Sequence, residues 1–139
     1  MTSVQAAIGV AQLEQLDDFV EAKRANARAY TEALAGLPGV EACTERPWAR
    51  SNFWMYSIQL DPAVWGSARR VIDAAAAAGI QCRPLFYPVH RQPPYRNSCQ
   101  AYRVEIADPL HARGLSLPCS VGITQAQRDR VVRFLAHLK

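Results

Sequence analysis

Lysine is nearly missing from this chain of 139 residues: Lys23 and Lys139 are the only two. There is also no G-x-S-x-G elbow, no glycine-rich phosphate loop and no Ser/His/Asp set at catalytic spacing, so the catalytic equipment is incomplete. Cys43, Cys82, Cys99 and Cys119 stand far apart and never form C-x-x-C, which argues against a zinc ribbon and a dithiol redox motif. Reduced core cysteines are expected instead. His90 and His111 lack a second ligand at i, i+4 on a helix face, so no metal site is expected. No apolar run approaches the ~20 residues of a membrane span, and Met1 to Gln5 carries no basic leader region. A cytoplasmic protein without membrane contact follows as an expectation. A basic block is missing too: the formal charge is +4, but only Lys23-Arg24 and Arg69-Arg70 are adjacent cations. Without aromatic residues interleaved among them, these charges do not point to nucleic acid.

What the chain does have is apolar content of 50%, enough for one compact domain with its own core. From Ser3 to Leu34 almost nothing breaks a helix, and Val4, Ile8, Ala11, Leu16, Phe19, Val20, Ala27, Tyr30 and Leu34 recur at helical spacing. The spacing predicts one long amphipathic helix, N-capped by Ser3 and closed by Gly36 and Pro38-Gly39. At ~1.5 Å per residue it would run about 45 Å, longer than a domain of this size needs, so it is expected to bridge to another body. Glu14, Asp17, Asp18 and Glu21, with Lys23 and Arg24, read as its solvated face.

Further along, Val40 to Cys43 and Phe53 to Leu60 read as strands, and a helix runs from Pro62 to Gly79. Ile80 to Leu85 reads as a strand, and Cys99 to Arg113 as a helix interrupted at Asp108-Pro109 and capped by Gly114. Leu115 to Pro118 is a short strand. Thr124 and Gln127 form a capping-box signature for a terminal helix with Val131, Val132, Phe134 and Leu135 inward. Trp54, Met55 and Trp65 are expected in the core. The order implies an α+β fold with a small mixed or antiparallel sheet and helices on one side.

Gly79 to Tyr95 is the stretch with binding chemistry. Pro84, Pro88, Pro93 and Pro94 stop it from continuing as a ladder or helix, so its side chains are held rather than packed. His90 donates, accepts or carries a proton near neutral pH, Tyr87 and Tyr95 offer rings with a hydroxyl tip, and Arg83 suits a phosphate or carboxylate. From the residues alone, His90 is equally a turn histidine bonded to backbone and a ligand contact. His111 reads as a surface residue on a helix.

Three stretches agree with one family: Met1 to Glu14, Asn52-Phe53-Trp54-Met55-Tyr56, and Gly79 to Tyr95 together with Leu115 to Pro118. They resemble the pyridoxal-phosphate-dependent sugar-nucleotide aminotransferases, especially perosamine synthase-like members. The resemblance implies the C-terminal part of an aspartate-aminotransferase (fold type I) architecture: residues 1–36 a long interdomain helix, residues 37–139 the small α+β domain, and the large cofactor-binding domain absent. It implies that the Schiff-base lysine lies in that large domain and that Lys23 does not take its place, so no catalytic or cofactor-binding residue is assigned. Pyridoxal 5'-phosphate would serve the full-length family and is not expected on this chain alone. Tyr87 and His90 match pocket positions of the family's Tyr-Pro-x-His passage, with Tyr95 and Arg83 as further candidates for sugar and diphosphate recognition. The implied reaction moves an amino group from a donor such as glutamate to a keto sugar nucleotide, in a homodimer. The competing reading is a non-catalytic sugar-nucleotide binding or dimerisation module.

Overall fold

The computed structural model describes residues 1–97 and 104–138. Its centre is an antiparallel sheet of four short strands, β1 (Val40–Ala42), β2 (Tyr56–Leu60), β3 (Arg83–Pro84) and β4 (Gly114–Leu117), in the order β1-β2-β4-β3. Register separates the faces cleanly. Ile58 pairs with Leu115 and Ala42, Tyr56 with Leu117, and Leu60 with Val40, so these side chains share one apolar face. Ser57 opposite Ser116, Gln59 opposite Gly114 and Glu41, and Arg83 opposite Ser116 fall on the other face.

The apolar face is covered by α2 (Leu16–Leu34), α3 (Pro62–Trp65), α4 (Ala68–Ala77) and α6 (Gln125–His137). Ala27, Tyr30, Leu34, Trp65, Val71, Ala75, Val131 and Leu135 form one buried cluster with the strand residues. Polar tips in this core are satisfied. The Tyr30 hydroxyl donates to the Pro118 carbonyl at 2.8 Å while its ring stacks on Tyr56 at 5.1 Å, and Trp65 Nε1 donates to the Pro38 carbonyl at 3.0 Å. Helix α5 (Ala107–Arg113) leans on the polar face, where Arg113 Nε donates to Gln59 Oε1 at 3.2 Å.

Several boundaries differ from the sequence expectation for local reasons. The long N-terminal helix is two helices, α1 (Ser3–Leu13) and α2, because Gln15 turns on itself: its N–H goes to the Gln12 carbonyl and its side chain donates to the Ala11 carbonyl at 3.1 Å. Thr2, not Ser3, caps α1 through a capping box with Gln5. The helix expected from Pro62 to Gly79 breaks at Gly66, whose φ of 73° is open to glycine, and Ser67 then caps α4. Phe53 lies in a loop at φ 45°, so β2 begins only at Tyr56. Strand β3 is limited to Arg83–Pro84. The helix expected from Cys99 starts at Ala107 within the described residues, the first residues of that expected span lying outside them, and Gly114 is both its C-cap, as anticipated, and the first residue of β4. Thr124 and Gln127 form the anticipated capping box of α6.

Candidate functional site

Strand β3 and α5 hold the proline-rich stretch at one end of the sheet. After Pro84 the chain leaves the ladder, crosses Leu85 to Pro88 without regular structure, and makes one 3-10 turn at Val89–Arg91. The turn is fastened to α5 by a single carboxylate. Asp108 Oδ1 lies 3.1 Å from His90 Nε2, and Asp108 Oδ2 accepts from Arg91 Nη2 at 2.9 Å. Asp108 sits in the first turn of α5, where a negative charge also faces the positive end of the helix dipole. The His90 side chain is only 20% exposed, so Nε2 is turned inward on Asp108. Nε2 and Oδ1 stand at ion-pair distance, while Oδ1, buried, accepts no hydrogen bond among the described residues.

Tyr87 stays 51% exposed and stands edge-on to the His111 ring at 5.3 Å. His111 is more than a surface residue: its Nδ1 sits 3.0 Å from the Leu85 carbonyl, which accepts only, so that nitrogen carries the hydrogen. Tyr87 and His111 border a cleft of about 410 Å³ whose floor is Ala68, Ile72, Pro84 and Leu85. Arg83 is exposed on β3, and Tyr95 follows the 3-10 turn with its N–H on the Gln92 carbonyl. Of the four sequence-singled residues, Tyr87 lines this cleft and Arg83, His90 and Tyr95 are not among its lining residues. No hydrogen bond, ion pair or ring contact joins any two of them among the described residues.

Sequence reasoning missed several tertiary contacts. Trp54, expected in the core, is 65% exposed and stacks on Phe86, itself 80% exposed, at 6.4 Å. Lys23 and Arg24 are not a solvated face. Lys23 Nζ donates to the Trp54 carbonyl at 2.7 Å and to the Cys119 carbonyl at 2.5 Å. Arg24 forms a two-pronged pair with Glu45 at 3.0 and 2.9 Å and also donates to the Ser51 carbonyl. Glu45 in turn accepts the Ser51 N–H, so the Arg24 hydrogen bond and this N–H hold its carboxyl below the usual range. Burial pushes the Cys82 thiol up to about 11 and raises Tyr30 and Tyr56 as well. Lys23 and Asp108 both lie far in sequence from their partners, so no spacing signal marks them.

The chain matches the DegT/DnrJ/EryC1/StrS aminotransferase family over residues 1–136. It belongs to that family. It is 37% identical over 136 residues to the GDP-perosamine synthase of Caulobacter vibrioides, covering 97% of this chain and 36% of that one. Among solved structures it is similar to DesI, determined in the presence of its TDP-sugar product, with a TM-score of 0.87, 30% identity and coverage of 97% and 35%. The Spr1654 protein of Streptococcus pneumoniae in its PLP form shares the fold, with a TM-score of 0.88, 17% identity and coverage of 99% and 36%. The chain therefore spans about a third of the length of these relatives, and the α+β architecture matches their fold type I partners.

Pyridoxal phosphate needs a free amine for a Schiff base. Among the described residues Lys23 is the only lysine, and its Nζ is committed to two carbonyls. These residues do not fit the cofactor, and no step is derived through it. Among the described residues, no three His, Cys, Asp or Glu side chains group to hold a metal, and no helix is long and apolar enough to cross a membrane.

Proposed function

We propose that this chain is the C-terminal part of a pyridoxal-phosphate-dependent aminotransferase acting on keto sugar nucleotides for surface-polysaccharide synthesis, inactive when isolated. One observation carries the reading: the alignment with GDP-perosamine synthase fills 97% of this chain but 36% of the relative. The commitment of Lys23 to carbonyl groups supports the inactivity. In the complete enzyme, Tyr87, His90, Tyr95 and Arg83 would recognise the sugar nucleotide, glutamate or a similar donor would supply nitrogen, and a cytoplasmic homodimer would complete the site. The cofactor supplies the electron sink for amino transfer. The chain's share is to shape the rim: Asp108 presets the 3-10 turn, and Tyr87 and Arg83 offer a ring and a cation.

The test is an absorption spectrum with added pyridoxal phosphate. The isolated chain is expected to show no aldimine band, and a band together with amino transfer is expected once the large domain of a perosamine-synthase relative is supplied. An aldimine band from the chain alone refutes the inactivity. A closed core, with Tyr30, Ile58, Leu115 and Leu135 fully buried without any other domain, favours a second reading as a sugar-nucleotide binding or dimerisation module. Calorimetric titration with GDP- and TDP-sugars separates the two, since binding by the isolated chain favours the module.

A further inference from the structure

We propose that Lys23 and Cys119 form an oxidative cross-linking site, in which the lysine amine captures the peroxide-oxidised sulfur in a covalent S–N bond. Lys23 Nζ lies 3.5 Å from Cys119 Sγ, although the two residues are 96 positions apart in sequence. Two of the amine's hydrogens are directed to the Trp54 and Cys119 carbonyl oxygens, which only accept. The remaining direction around the nitrogen is the one occupied by Sγ. When the ammonium gives up that proton, its lone pair is left facing the sulfur. The sulfur is fixed as well: it accepts the Tyr56 N–H at 3.3 Å and lies 3.6 Å from the Trp54 carbonyl. Both reacting atoms are thus held in contact before any chemistry, which is the arrangement that raises effective concentration.

The reaction balances with one equivalent of hydrogen peroxide. The Cys119 thiol is oxidised to the sulfenic acid as peroxide is reduced to water. The neutral Lys23 amine then attacks sulfur, the S–O bond breaks, hydroxide leaves, and it takes the proton lost from nitrogen to form a second water. The product is a sulfenamide with two hydrogens fewer than the starting pair. Sulfenic acids are known to condense with nitrogen in this way. Cys119 is 9% exposed, so its neighbours shield it from bulky thiol reagents while the partly exposed lysine marks an opening that peroxide can use. The bond would join α2 to the segment leaving β4, and it does not depend on the aminotransferase reading.

The experiment treats the full chain with hydrogen peroxide, blocks remaining thiols, digests with a glutamate-specific protease without reductant and maps the peptides by mass spectrometry. The expected result is the Lys23 peptide joined to the Cys119 peptide at their summed mass less two hydrogens, released by dithiothreitol. Thermal unfolding of the treated chain is expected to shift upward by several degrees and to return after reduction, since the bond closes a long loop of the unfolded chain. Lys23→Arg, which keeps a cation for the carbonyls, should lose the joined peptide and let Cys119 proceed to sulfinic acid. Recovery of Cys119 from the wild-type chain as a free thiol, a sulfinic acid or a disulfide, with the Lys23 peptide unjoined, overturns the proposal.

Discussion

Gly114 shows how much a single position can be constrained by its neighbours. A Cβ added there would overlap the Leu85 side chain and stand 2.5 Å from Gln59 Nε2 and 2.6 Å from the Leu110 carbonyl. Because one obstacle is backbone of α5, the strain cannot be relieved by a rotamer change. Gly114→Ala is expected to cost roughly 3 kcal/mol, the upper end of overpacking losses, as read from urea denaturation. A loss under ~1 kcal/mol would mean that α5 does not press on β4. In the sequence the same glycine reads as the cap of α5, which it is, while its close approach to Leu85, Gln59 and Leu110 leaves no mark there. His90 behaves differently. Removing it as His90→Ala leaves the Arg91 prong on Asp108 at 2.9 Å, so the expected loss is about 1 kcal/mol or less. Asp108→Ala strips both prongs and should lose more. Equal losses in the two variants would show that His90, not Arg91, holds the turn.

Among the elements, the loop between β1 and β2 is ordered by ionic and polar contacts rather than by burial. Arg24 on α2 grips Glu45, Glu45 holds the Ser51 N–H, and the guanidinium lies 5.8 Å from the Phe53 ring centre. Glu45 is held below its ordinary range chiefly by the Arg24 hydrogen bond, so its folded-state value lies under the unfolded one. Its contribution is therefore complete above the unfolded value of about 4.3 and fades as pH falls through the folded one. Thermal unfolding should show wild type above Glu45→Gln near pH 7, with the gap closing at about pH 3. A gap that stays constant across that range would remove the ion pair from the account. Elements such as this loop were not legible in the sequence, since the 21-residue separation of Arg24 and Glu45 has no periodicity. The strands β1, β2 and β4 and helices α2, α4 and α6 were legible, because Tyr30, Ile58, Val71, Leu115 and Leu135 repeat at the period of the element that buries them. The irregular course of the chain after Pro84 was legible through its prolines. Its fastening by Asp108 was not, because the carboxylate reads locally as a helix start beside Pro109.

At the scale of the whole molecule, the exterior is less polar than the interior demands. Helix α1 buries none of its residues, and Val4, Ile8, Val10 and Leu13 are all exposed. No charged side chain occurs from Met1 to Leu13. At 100° per residue these apolar positions point in several directions, so no single face of the sheet domain could cover them. The stacked Trp54 and Phe86 add a second exposed apolar surface beside the rim. Contiguous apolar patches beyond a few hundred Å² favour association, and the formal charge of +4 gives only modest repulsion against it. Sedimentation velocity is expected to show average mass rising with concentration, and Ile8→Glu, which places a charge on α1 without touching the buried core, is expected to lower that rise. Because the patch is apolar, added salt should strengthen the association rather than weaken it. A clean monomer at the highest concentrations would mean that the exposed apolar surface of α1 does not drive association. Association weakened by salt would instead assign it to charge, with the arginines rather than α1 as its source.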